Sequence, residues 1–182
     1  FCISLGVGFA VAGVVFFFAY NWAGLNNFVK IGLIEAMLIT TISLAVLKTF
    51  KENIRHIVLT GAAVLVGVLF AVFGQIYQTG ANAYDFFLAW TLFITLWVVV
   101  SDFAPLWLLY LVLINTTFFL YTEQVAQGWS EVFVFSLLFI FHSLVLVFVN
   151  GFFRKKTPGW LLTTIVLAAA SYATIGTIDG IF

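Results

Sequence analysis

The chain has 182 residues, 64% hydrophobic, 19% aromatic and 8% charged, with a formal net charge of zero. Soluble domains run about half apolar and a quarter charged, so this composition excludes both a water-soluble globule and a disordered chain. Zero net charge excludes the basic face that nucleic acid requires, and Cys2 as the only cysteine excludes a disulfide framework or a thiolate cluster for metal.

Lipid is the solvent these residues fit. A helix crossing the ~30 Å hydrocarbon core needs about 20 largely apolar residues, and backbone groups in lipid must be satisfied within the helix itself. The first apolar run, residues 1–20, lacks a basic leader and a cleavage site, so it reads as a spanning helix rather than a signal peptide. It begins at Phe1 inside the apolar run, and an N-terminal portion preceding it is expected. Tyr20 and Trp22 stand at its end as interface anchors. A turn with Gly24, Asn26, Asn27 and Lys30 leads to a second helix at 31–47, and a basic loop, Lys48 to His56, to a third at 57–73. The richest polar stretch follows, Gly-Gln-Ile-Tyr-Gln-Thr-Gly-Ala-Asn-Ala-Tyr-Asp at 74–85.

Residues 86–121 are too long for one crossing, and Ser101-Asp102-Phe103-Ala104-Pro105 supplies a break, because proline cannot continue a helix that precedes it. Two helices are therefore predicted, 86–101 and 105–121. An acidic, amide-rich loop from Thr122 to Glu131 precedes a sixth helix at 132–149, and the basic loop Asn150 to Gly159 precedes a seventh at 160–178. The expected fold is all-α: a single transmembrane bundle over 1–182 with seven spans, N-terminus cytoplasmic and C-terminus outside.

Charge supports that count. With seven spans, Lys48, Lys51, Arg55, Arg154, Lys155 and Lys156 share the cytoplasmic side and Lys30 alone lies outside, as the positive-inside rule favours. Merging 86–121 into one helix would move residues 154–156 outside and destroy the bias. Small residues at four-residue spacing, Ala63, Gly67 and Ala71 in the third helix and Gly32, Ala36 and Thr40 in the second, predict close helix approach. The alanines at 168–170, with Ala173 and Gly176, smooth the seventh helix in the same way.

Polar groups inside a membrane cost a few kcal/mol, so each is a candidate for function. Glu35 is expected about five residues, roughly 7 Å, below the outer end of its helix. His142 lies mid-helix and Asn115 about a turn and a half below an outer end. Gln75 extends the Ala63/Gly67/Ala71 series and is expected to point inward. On this topology Glu35, Gln75, Tyr77, Gln78, Asn82, Asp85 and Asn115 share the outer half, a candidate pocket for a small polar ligand or lipid headgroup. Structural roles compete with it: Glu35 neutral or paired with Lys30 to fix helix packing, His142 as a satisfied packing histidine, Asn115 bonded to a neighbouring helix, and 74–85 either an external loop or a re-entrant one. Phosphate loops, His-Glu-x-x-His and nucleophile elbows are missing. No catalytic residue, metal or cofactor is expected, and the oligomeric partner is left open.

The segments Phe-Phe-Phe-Ala-Tyr-Asn-Trp (16–22), Lys30 to Ala36, Phe-Gly-Gln-Ile-Tyr-Gln-Thr-Gly-Ala-Asn-Ala-Tyr-Asp (73–85) and Ala-Pro-Leu-Trp-Leu (104–108) resemble a family of bacterial integral membrane proteins, "domain of unknown function 2157". Gly-Gln-Ile-Tyr at 74–77 is the most specific part. The resemblance implies a multi-helix fold in the bacterial inner membrane and a longer N-terminal portion, and it assigns no catalytic role. Two functions are carried forward: a transporter-like or ligand-binding protein using the outer pocket, and a non-catalytic scaffold or sensor docking a partner through 74–85.

Overall fold

The structure is a computed structural model that describes residues 2–21, 23–78, 80–153 and 157–179. Trp22, Thr79 and the basic residues Arg154, Lys155 and Lys156 lie outside the described residues. Among those described, every regular element is helical: α1 (Cys2–Asn21), α2 (Asn27–Val46), α3 (Glu52–Tyr77), α4 (Ala83–Ser101), α5 (Ala104–Gln124), α6 (Glu131–Phe148) with a π-helical turn at Val149–Phe153, and α7 (Gly159–Asp179). All seven α-helices are long and apolar enough to cross a membrane. The break at Pro105 is real. Asp102 ends α4 in the left-handed region at φ 47°, and Phe103 O accepts the first amides of α5. Pro105 falls in the first turn, where its missing N–H costs no hydrogen bond.

Most helices extend beyond the expected limits, by as many as five residues at the start of α3, whereas α2 and α6 end one residue short of them. The apolar length of a segment marks where lipid ends, whereas the helix continues for as long as caps satisfy its terminal groups. Asn26 caps α2, its Oδ1 accepting from Phe28 N at 2.9 Å, and Ser130 caps α6, its Oγ accepting from Phe133 N at 3.3 Å.

The chain forms two compact units, Phe1–Ile114 and Asn115–Phe182. In the first, α3 is central and packs against α1, α2 and α4. Its Gly61, Ala62, Ala63, Val66 and Gly67 are buried, which lets neighbouring backbones come close. α2 and α3 form an antiparallel hairpin, fastened where Arg55 Nε donates to Ala45 O at 2.8 Å. Trp90 of α4 donates from Nε1 to Ala63 O at 2.8 Å. α1 contributes one buried side chain, Phe18, among its described residues.

The second unit is dominated by packing of α6 on α7. Leu161, Ile165 and Ala169, one face at four-residue spacing, are buried. Gly176 lets Phe135 approach so closely that a Cβ there would stand 3.1 Å from the Phe135 Cβ. The rings of Phe135 and Tyr172 stack at 6.3 Å.

Candidate functional site

Most of the polar stretch 74–85 is helical. Gly74–Tyr77 is the last turn of α3, and Ala83–Asp85 is the first turn of α4. The link between them is short because Gln78 takes the left-handed conformation, φ 43°, and donates its amide to Gly74 O at 3.0 Å. Gly80 is left-handed too, φ 66°. Asn82 holds the N-cap position of α4, and the Asp85 carboxylate accepts from the Asn82 amide at 3.1 Å, one arm of a capping box. These residues are committed to building the turn. Asp85→Ala is expected to destabilise the α3–α4 hairpin by about 1 kcal/mol in an unfolding titration, and Asp85→Asn, which keeps an acceptor, by less.

Gln75 is exposed, as is Ala71, whereas Ala63 and Gly67 are buried. The expected inward direction of Gln75 is corrected here. Each four-residue step rotates a helix by about 40°, so three steps carry position 75 roughly 120° off the face that Ala63 starts. Tyr77 is 54% exposed and packs on Phe73 with ring centroids 4.4 Å apart. Ile76 is the one motif side chain packed against the core.

Glu35 stands elsewhere. The helix begins at Asn27, so Glu35 is eight residues from its end, about 12 Å deep instead of 7 Å. The Arg55–Ala45 bond sets the hairpin register so that Glu35 is level with about residue 65, roughly 15 Å along the axis from Gln75. The expected grouping of Glu35 with Gln75, Tyr77, Gln78, Asn82 and Asp85 in one pocket is therefore not what the fold builds. Lys30 is in the first turn of α2, 5% exposed, and lies about 140° around the helix from Glu35. Among the described residues, Glu35 has no ion pair. Its exposed neighbours on α2 are Gly32, Ala36, Ile39 and Ser43. The small-residue series at 32, 36 and 40 thus faces outward, away from α3.

Asn115 belongs to the second unit, and so do its partners. Tyr172 Oη donates to Asn115 Oδ1 at 2.9 Å, and Asn115 Nδ2 lies 3.4 Å from His142 Nε2. His142 Nδ1 is 2.9 Å from Leu138 O. The carbonyl can only accept, so Nδ1 carries the proton and Nε2 accepts from the asparagine. His142 is 2% exposed. The network closes three apolar helices on one another with every polar atom directed. Tyr172 was not foreseen; its signal was a phenol amid the small residues of α7. No group of three or more metal-ligating side chains occurs among the described residues.

A cavity of about 480 Å³ lies in the first unit between α1, α3 and the α4–α5 turn, lined mainly by apolar side chains. No curated protein and no solved structure matches the chain. The family described as "Predicted membrane protein (DUF2157)" matches residues 1–107, which takes in the first unit almost entirely and stops before the second. With more than half its length matched, including the Gly-Gln-Ile-Tyr turn and the outward face of α2, the chain is a multi-pass membrane protein that belongs to this family.

Proposed function

We propose that the protein is a non-catalytic scaffold of the bacterial inner membrane, basic loops cytoplasmic, that assembles with a second copy of itself through the outward face of α2. The observation carrying this reading is Glu35, an exposed carboxyl in mid-span with no ion pair among the described residues, set beside Gly32 and Ala36. Facing lipid, such a group costs about 2.5–3.5 kcal/mol on the insertion scale. Two copies in the same membrane share orientation, so a two-fold axis brings this face against itself. The small residues then permit close backbone approach, and each carboxyl finds hydrogen-bond partners on the opposite helix. The exposed residues Gln78, Gly80, Ala81 and Asn82 between α3 and α4 offer a second surface for a docking partner.

A transporter-like or ligand-binding role is the second reading, favoured by the same unpaired carboxyl, which suits a proton or a small polar ligand. Two measurements separate them. In a Cys2→Ser background, Ala36→Cys and Ser43→Cys are expected to form crosslinked dimers in native membranes, whereas Leu96→Cys, exposed on α4, is not. Glu35→Cys is expected to resist a membrane-impermeant thiol reagent while Asp85→Cys reacts. Labelling at 35 would favour transport, and equal crosslinking at 96 and 36 would end the dimer reading.

A further inference from the structure

Resting on the dimer proposed above, we infer that its two Glu35 carboxyls meet and form a proton-binding site. The copies then stay together only while at least one of the two carboxyls is protonated. Phe28, Glu35 and Ile42 recur every seven residues along α2, with Gly32, Ile39 and Val46 four residues after each. This is a heptad seam, the pattern by which a helix packs along its own copy. Phe28 is 84% exposed, Ile39 64% and Val46 65%, so one copy alone leaves the seam uncovered. The buried residues of α2, Lys30, Ile34, Leu38 and Ala45, lie on a different face. Copies in one membrane run parallel, and a two-fold axis brings each seam position against its own counterpart. Glu35, in the middle of the seam, therefore meets Glu35 of the second copy.

A carboxylate can only accept hydrogen bonds. The seam offers it no side-chain donor, since every other seam residue is apolar. Backbone amides in mid-helix are already bonded to carbonyls. Thr40 lies about 140° round the helix and gives its hydroxyl to Ala36 O at 2.7 Å. Ser43 is too far along, about 12 Å up the axis. Two carboxylates meeting here would only repel. One proton reverses that, because the protonated carboxyl donates to its mate in a charge-assisted O–H···O bond of about 2.5–2.7 Å. A second proton makes the pair neutral, with two hydrogen bonds. No cation on the helices of one copy competes for the site. Lys30, the other charged residue of α2, is 5% exposed and about 140° away. α3, packed against α2, has no titratable side chain between His56 and Tyr77. A divalent metal fits poorly, since it calls for about six or more oxygen ligands and the seam supplies two carboxyls.

The test is energy transfer between copies of the full chain in vesicles, with the buffer equilibrated on both sides. Cys2 is the only cysteine and is exposed, so it takes a donor dye in one batch and an acceptor dye in another, both insensitive to pH. Transfer is expected in mildly acidic buffer. It should fade as the buffer turns alkaline, with a loss of about tenfold or more in the association constant. The sign follows from the protons: the dimer holds them, and the ionised chains that separate do not. Glu35→Gln carries a donor and an acceptor at every pH, so it should stay dimeric across the whole range. Wild-type transfer that does not change with pH, or a Glu35→Gln variant that fades as the wild type does, would overturn the inference and leave the dimer standing. Transfer that follows a divalent cation instead of pH would overturn it too. Absence of transfer in both chains at every pH would remove the dimer itself, and the proton site with it.

Discussion

Valine in place of Gly67 is expected to lower the unfolding free energy by about 2–3 kcal/mol, the upper part of the range for overpacking. A Cβ at this position would lie 2.5 Å from Cη2 and Cζ2 of Trp90. The indole has little room to retreat: its Nε1 is bonded to Ala63 O at 2.8 Å, and Phe87 stacks on it at 6.0 Å. Gly61→Ala makes the informative contrast. Its nearest obstacle is Val7 Cγ1 at 2.6 Å, one methyl on the lightly packed α1, which can turn away for less than about 1 kcal/mol. Unfolding titrations in mixed micelles should therefore rank Gly67→Val, Gly67→Ala and Gly61→Ala in decreasing order of damage. Trp90→Phe should partly rescue Gly67→Ala by opening space. Equal losses at 61 and 67 would show that the indole is not the constraint.

His142→Ala is expected to cost about 2–4 kcal/mol, by the cavity it leaves and the Asn115 amide it deprives of an acceptor. Hydrocarbon offers no hydrophobic drive between helices, so the loss is one of packing contacts and hydrogen bonds. A double-mutant cycle with Asn115→Leu should give a coupling of about 0.6–1.7 kcal/mol, the span measured for hydrogen bonds between membrane helices. Tyr172→Phe removes only one donor and should fall below His142→Ala. If the cycle closes with no coupling, the 3.4 Å contact between Asn115 and His142 contributes nothing to stability.

The spans were legible because their cause is local. Twenty apolar residues in lipid have one way to satisfy their backbone, and a proline with a polar pair at 101–105 marks the break whatever surrounds it. Asn115 and His142 were legible as polar groups in spans; Asn115 bonds a neighbouring helix as one of its expected roles had it, and His142 is buried with both ring nitrogens partnered. What escaped was direction around the helix axis. Gln75 was placed by repeating a four-residue step, and the drift of 3.6 against 4 turned it outward. Glu35 was placed by its distance from a helix start that lies four residues earlier than apolar length suggested. Pairing Glu35 with Lys30 fails for the same reason, since neighbours in sequence face apart on a helix. The capping role of Asp85 is written in its spacing from Asn82, but the same pattern fits a polar pocket until the helix start is known.

The unequal lengths of α2, α3 and α4 make bilayer thickness a variable of this protein. With 20, 26 and 19 residues they measure about 30, 39 and 28 Å. A membrane with hydrocarbon near 30 Å matches the outer two, so the ends of α3, which carry Glu52, Arg55, Gln75 and Tyr77, rise into the headgroup layers. A thicker bilayer draws those ends into hydrocarbon, at a fraction of a kcal/mol for each ångström of mismatch. α3 thereby acts as a depth gauge, favouring thinner regions of the membrane for the whole first unit.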